Sequence, residues 1–252
     1  MFRQLYLTNL VKLILLIRMS ETLQQVAEDV WVAQKAMVKP GGVRIPVNMS
    51  VLRLVDRSLW LHAPIPIDDA LAAELARLGP VRHVVAPNSF HHLFLSPCLA
   101  RYPQAALYVA PGLPAKRPDL TATGVIGTAV PPWANEIDTV IIEGAPKLRE
   151  VAFFHRASGS LLVTDLLFNV TAPANAATGL VLRLMGTYRR LAVSRAWRLY
   201  TRDKSAQRPT LEALLEWPFV RIIPAHGTVY EGASPLHDAR AAARAAFGGL
   251  LA

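Results

Sequence analysis

Three segments far apart in the chain set imidazole or carboxylate side chains directly after apolar runs. His91 and His92 follow "VVAPNSF", Asp165 closes "SLLVTD", and His226 ends "VRIIPAH". Imidazole nitrogen and carboxylate oxygen suit Zn²⁺, Fe²⁺ or Mn²⁺, so His91, His92, Asp165 and His226 are a candidate ligand set for one divalent metal ion. Taken singly, each has a plainer reading: a strand-end aspartate caps a helix or turn, and a lone histidine is a satisfied polar residue. It is their joint placement after strands that points to metal. Four protein ligands would fill a tetrahedron, as in structural zinc, whereas a hydrolytic ion keeps a position open for water, whose pKa it lowers to about 7. Five- or six-coordinate Fe²⁺ or Mn²⁺ would leave that room. So would Asp165 acting as a catalytic general base instead of a ligand. In a third arrangement no metal binds and the histidines hydrogen-bond to Asp165.

Candidate substrate contacts lie nearby in sequence. Lys116, beside Arg117 in "AKRPDL", offers a cation to an anionic group. His155 ends a strand next to the turn "RASGS", as hairpin neighbour of the Asp165 strand. Asn88 has turn chemistry just ahead of the two histidines. No nucleotide cofactor is indicated.

The elements that must position these residues alternate. "MSVLRLVDRSLWLHAPI" (49–65) reads as two strands around a polar turn. "DDALAAELARLG" (68–79) reads as a helix capped by Asp68 or Asp69 and ended by Gly79 and Pro80. "VRHVVAP" (81–87) is a strand, "SPCLARYP" (96–103) a short helix and "AALYVAP" (105–111) another strand. Strand–helix–strand alternation argues for an α/β fold, in which ligands gather beyond strand carboxyl ends. Ahead of this block, "DVWVAQKAMV" is β-favouring and "KPGG" a turn. After it, "AKRPDL" is a polar loop, and "DTVIIEG", "EVAFFHR" and "SLLVTDLLF" give three strands, the last two joined as a hairpin. Residues 172–217 are mostly helical, "PFVRIIPAHG" is a final strand and loop, and "LHDARAAARAAFGGLL" is a closing helix. Trp60, Trp133, Trp197 and Trp217 are expected in the core.

The chain has 252 residues, 52% hydrophobic and 18% charged, with 27 Lys and Arg against 18 Asp and Glu. That balance excludes a disordered chain. The single cysteine, Cys98, excludes an intramolecular disulfide and any zinc site built on several thiolates, and fits a reducing cytoplasm. Residues 183–208 hold eight basic side chains and only Asp203. They read either as a solvated helix face or as a surface for an acidic partner or membrane, with Arg195, Arg198 and Arg202 sharing one face. No nucleic-acid motif accompanies them. In the first 18 residues the apolar run is interrupted by Lys12 and is too short to span a bilayer. Residues 1–18 are therefore expected to be an N-terminal extension, a mis-assigned start before Met19 or a loose amphipathic helix, and 19–252 a single domain.

The order "PNSFHH", "TDLLFN", "PAHG" resembles the metal motifs of the metallo-β-lactamase superfamily, over residues from about 29 to 230. Within it, "APNSFHH", "PGLPAKRPDL", "FFHRASGSLLVTDLLFN" and "PAHG" resemble a domain family with no agreed activity. The resemblance implies a four-layer αββα sandwich and, in an active member, hydrolysis of a small ester, thioester, amide or phosphoester. It also exposes departures. Pro87 and Ser89 stand where the first two histidines of the leading motif would be, and "EGAPKLREV" offers Lys147, Leu148 and Arg149 where a later histidine is expected. The first metal subsite is thus missing its histidines, and the resemblance implies at most one metal, at the second subsite. There His91 stands in place of an aspartate and His92, Asp165 and His226 match. An inactive descendant, binding a partner through its basic helical region, is the alternative.

Overall fold

A computed structural model describes residues 23–232 and 238–251, and the expectations for residues 1–18 lie outside them. The first sheet runs in chain order: β1 (Gln24–Ala27), β2 (Val30–Lys39), β3 (Val43–Arg53), β4 (Leu59–His62), β5 (Val81–Ala86), β6 (Ala106–Val109) and β7 (Gly124–Val125). It is antiparallel as far as β4 and parallel from β4 to β7. The parallel part requires crossovers, supplied by helices α1 (Asp69–Leu78) and α2 (Leu95–Arg101). Asp68 caps α1, its side chain accepting from the Leu71 N–H. A short helix, α3 (Leu113–Lys116), follows β6 and takes in the first two residues of "AKRPDL", the segment expected to be loop. The second sheet contains β8 (Ile137–Ile141), β9 (Val151–His155), β10 (Ser160–Val163), β11 (Arg221–Pro224) and β12 (Tyr230–Glu231), ordered β12-β11-β10-β9-β8. Parallel β10 and β11 are linked through α4 (Ala176–Met185), α5 (Arg195–Tyr200) and α6 (Lys204–Glu216), and α7 (Ala239–Phe247) closes the chain.

Period-two alternation sorts the strand residues into three apolar layers. On β9, Val151 and Phe153 face the first sheet, among Trp60, Trp133, Val85 and Ile223. Ala152 and Phe154 face outward, among Leu211, Leu214 and Phe247. On β4, Leu59 and Leu61 pack against Leu71, Leu75 and Cys98 of α1 and α2, while Trp60 points inward. Helix, sheet, sheet, helix is the αββα sandwich that the motif resemblance implies. Trp60, Trp133 and Trp197 are buried as expected, and Trp217 stacks on Phe154.

Two local expectations are corrected. "SLLVTDLLF" is strand only to Val163, because the next three N–H groups turn to the carboxylate of Glu150 instead of a neighbouring strand. Arg202 does not continue the face of Arg195 and Arg198, since α5 ends at Tyr200 and the Arg202 N–H bonds to the Gly144 carbonyl. The basic segment also has local partners. Arg195 donates to Leu184 O and Arg190 to Gly186 O at the C-terminal end of α4, and Arg198 donates to Ala246 O at the end of α7. Cations there answer the free carbonyls and the negative pole of each helix. Among the described residues, no helix is long and apolar enough to cross a membrane.

Candidate metal centre

β5, β10 and β11 end on one side of the molecule, and the segments after them meet. The loop after β5 is tied to the second sheet by the Ser89 N–H on Leu148 O and the Val151 N–H on Pro87 O. Within this loop the Asn88 side-chain oxygen accepts from the backbone N–H groups of Phe90 and His91, a tight turn of the kind asparagine makes with its own following backbone. Its amide nitrogen reaches Thr164 Oγ1 at 2.9 Å and Asp165 Oδ2 at 2.6 Å. The fully buried Asn88 therefore fixes His91 through the backbone and Asp165 through the side chain.

Glu150, equally buried, lies behind Asp165. Its carboxylate accepts the N–H groups of Thr164 at 2.7 Å, Asp165 at 2.8 Å and Leu166 at 3.1 Å. Burial, reinforced by the negative charge of Asp165, pushes the Glu150 carboxyl up to about 7 against the opposing pull of those donors. Asp165 goes the other way. Burial alone would raise it, but the His91 and His226 imidazoles outweigh burial and hold its carboxyl well below the usual carboxylate range.

His226 sits in a loop that only glycine can close. Gly227 has φ +106°, and a Cβ there would lie 2.1 Å from the Asn169 carbonyl oxygen. Gln34 and Asn48, on β2 and β3, both donate to the Gly227 carbonyl, and Asn48 also donates to that of Pro224. The His226 ring stacks on Phe168 at 4.6 Å, and its Nδ1 lies 2.9 Å from the Pro46 carbonyl oxygen. A carbonyl only accepts, so Nδ1 carries a proton there and Nε2 is the nitrogen turned inward.

The result is a group of three. His91 Nε2 is 3.5 Å from Asp165 Oδ2, His226 Nε2 is 3.5 Å from Asp165 Oδ1, and the three ligand atoms lie within 4.8 Å of one another. Two imidazole nitrogens facing a carboxylate call for a positive charge between them, a proton or a metal cation. Two histidines and one carboxylate, with a second layer of hydrogen-bonded partners, fit one divalent ion.

His92, the fourth expected ligand, is not in this group. Successive side chains in the turn diverge, and His92 Nδ1 lies 3.1 Å from Arg117, which also donates to the His92 carbonyl. Burial, then the charges of Lys116 and Arg117, lowers its pKa. His155 is also elsewhere. β9 runs antiparallel to β10, so His155 pairs with Ser160 at the start of β10, at the opposite end of that strand from Asp165. It is buried, with Nδ1 at 2.8 Å from Ser158 Oγ. Asn88 positions the group instead of facing solvent, and Lys116 Nζ donates to the Ser89 carbonyl at 2.6 Å. The sequence reading missed Glu150, whose signal is an acid set directly before the apolar strand "VAFFH", and Phe168, which reads as core.

A cavity of about 200 Å³ opens on the three side chains, lined by Met37, Ile45, Val47, Phe90, Leu93 and Phe94, with Lys39 at its rim. The β2–β3 hairpin thus forms an apolar wall over His91, Asp165 and His226.

A family model described as "Domain of unknown function (DUF4336)" matches residues 27–182. No curated protein sequence matches the chain. Solved structures similar in fold include a metallo-beta-lactamase from Pontibacter korlensis, 13% identical, covering 91% of this chain and 97% of its own, with a TM-score of 0.58. The metallo-beta-lactamase FIM-1 from Pseudomonas aeruginosa, in its mono-zinc form, is 12% identical over 91% of this chain and 96% of its own, with a TM-score of 0.59. The metal-soaked Flv1 flavodiiron core from Synechocystis sp. PCC6803 is 12% identical, covers 82% of this chain and 56% of its own, and has a TM-score of 0.55. At such identities the likeness shows the fold alone.

Proposed function

This chain belongs to the DUF4336 domain family and has a metallo-β-lactamase-like fold, and from that premise we propose that it is a metal-dependent hydrolase of small ester, thioester, amide or phosphoester substrates, using one divalent ion held by His91, Asp165 and His226. The observation that carries this is the convergence of those three ligand atoms within 4.8 Å, from three strand-end segments. When bound, the ion supplies Lewis acidity and a coordination position open to water, since three protein ligands do not complete its shell. Zinc, iron and manganese all suit this donor set. Relatives of the fold are described with one zinc and as a flavodiiron core, and affinity alone does not choose among these metals for this chain.

The chain's own residues do the positioning. Asp165, held ionised by two imidazoles, is suited to ligate and is a poor proton acceptor. Pro46, Asn88 and Glu150 fix the ligands' orientation, and the apolar wall from Met37 to Phe94 limits water around a small substrate.

The test is hydrolysis of a panel of activated esters and thioesters by chelator-treated protein, with and without added Zn²⁺, Mn²⁺ or Fe²⁺. Activity is expected to return with metal and to fall more than about 100-fold in Asp165→Asn. Equal hydrolysis with and without metal, or by Asp165→Asn, would overturn the proposal.

A further inference from the structure

Directly across Phe90 from the candidate centre lies a second cavity, of about 490 Å³, whose chemistry differs. Ser89, Phe90, Lys116, Lys147, Arg149 and Tyr200 line it, and no acidic side chain among the described residues does so. Phe90 is the wall common to both cavities, and Ser89, Phe90 and His91 are consecutive. Three of its positions, Ser89, Lys147 and Arg149, belong to the segments where the superfamily's first-subsite histidines are missing. Two of them, Lys147 and Arg149, are cations.

Two of these cations are hydrogen-bonded, and the third lies against a ring. Lys116 Nζ donates to the Ser89 carbonyl and sits 5.0 Å from the centroid of the Phe90 ring. Lys147 Nζ lies 6.0 Å from that of Tyr200, itself 5.9 Å from Phe90. Arg149 donates through Nε to the Pro146 carbonyl and takes a left-handed backbone, φ +49°, a conformation that non-glycine residues seldom adopt. Its side chain lies across Gly112, where a Cβ would meet Arg149 Cδ at 2.8 Å. A lysine has three donors and an arginine five, so Lys116 and Arg149 keep donors free after their single bonds, and the Lys147 contact with the ring occupies none. Three exposed cations with spare donors, walled by two aromatic rings and without a carboxylate among the lining residues, suit a compact dianion with several acceptor oxygens better than a carboxylate.

We propose that the Lys116–Lys147–Arg149 cavity binds the phosphate group of a small phosphate monoester, which anchors the substrate while another part of it reaches His91, Asp165 and His226. The substrate's role rests on the hydrolase reading above, whereas phosphate binding does not. Binding energy from a non-reacting group can then serve orientation at the reacting one.

The experiment is calorimetric titration of phenyl phosphate and inorganic phosphate into the full-length, chelator-treated protein. Phenyl phosphate is expected to bind, and Lys147→Glu and Arg149→Glu each to weaken it at least tenfold. Lys147 is exposed, so its reversal leaves the core intact. Arg82→Glu, an equal change of charge on exposed Arg82 of β5, and His226→Ala are expected to leave the affinity within about twofold. Loss of binding in Arg82→Glu would reduce the effect to net charge, and loss in His226→Ala would move the phosphate to the candidate metal centre; either overturns the proposal, as does equal affinity in the Lys147 and Arg149 variants. Absence of metal-dependent hydrolysis alongside these binding results would sink the hydrolase reading and leave the phosphate site standing.

Discussion

Asn88 joins two parts of the candidate centre that share no strand, and its removal should be felt at Asp165. Asn88→Ala deletes the 2.6 Å bond to the carboxylate and the turn bonds to Phe90 and His91. Metal affinity, measured by competition with a chromophoric chelator, is expected to fall about 10–100-fold; an unchanged affinity would show that Asp165 is held by other means. Glu150→Gln replaces one carboxylate oxygen by an NH₂ group that must confront a backbone N–H. Urea unfolding should show a loss of about 1–3 kcal/mol, and a variant as stable as the parent would contradict the assigned role. At this scale the sequence was legible where a side chain's type and its place after a strand agree, as at His91, Asp165 and His226. It was not legible at His92, because adjacent residues in a turn are equivalent in sequence and opposite in space. Nor could Glu150 be read, since an acid before an apolar strand does not reveal which amides it will meet.

Elements carry their own tests. β4 ends in His62, whose ring is buried between the sheets, stacked at 5.7 Å on Trp60 and edge-on to Phe153 at 5.4 Å, with no hydrogen-bond partner for either nitrogen among the described residues. Burial, and secondarily His91, lowers its pKa to about 3. The unfolded chain takes up a proton there below about pH 6.5 and the folded chain does not, so the penalty is absent above 6.5 and grows as pH falls toward 3. From pH 7 to pH 5 this residue alone should cost about 2 kcal/mol of stability. Denaturant unfolding of the parent and His62→Phe at both pH values checks it: the acid-side loss should shrink in the variant, and identical pH slopes would refute it. In α2, burial pushes the Cys98 thiol up to about 12, so alkylation should be negligible in native protein at neutral pH and rapid in denaturant. Helices and strands with clear periodicity, such as α1 and β5, were readable from sequence. The two-residue strands β7 and β12 were not, because pairing with a longer neighbour is all that makes them strands. The early end of β10 was hidden because the Glu150 carboxylate, remote in sequence, captures the amides that would have continued it.

At the scale of the whole molecule, two sheets of separate chain halves act together because polar bonds link them at the site's end. Asn48 on β3 donates to the carbonyls of Pro224 and Gly227, and Gln34 on β2 joins it at Gly227. The α/β class was legible from alternation of elements and the layering only through the resemblance of the motifs, whereas this cross-link was not, since nothing local distinguishes Asn48 from a surface asparagine. The net charge of +9 reads differently once its basic segment is placed. Arg198→Ala should cost stability, about 1 kcal/mol through the loss of its bond at the end of α7, measured by thermal unfolding; an unaltered midpoint would return that arginine to the pool available for an acidic surface. The central claim is that His91, Asp165 and His226, without His92, hold a metal. Elemental analysis of purified protein reloaded with a divalent metal and desalted tests it most directly. Near-stoichiometric metal is expected in the parent and in His92→Ala, with metal lost in His226→Ala; a parent that retains none, or an His226→Ala variant that retains as much as the parent, would contradict it.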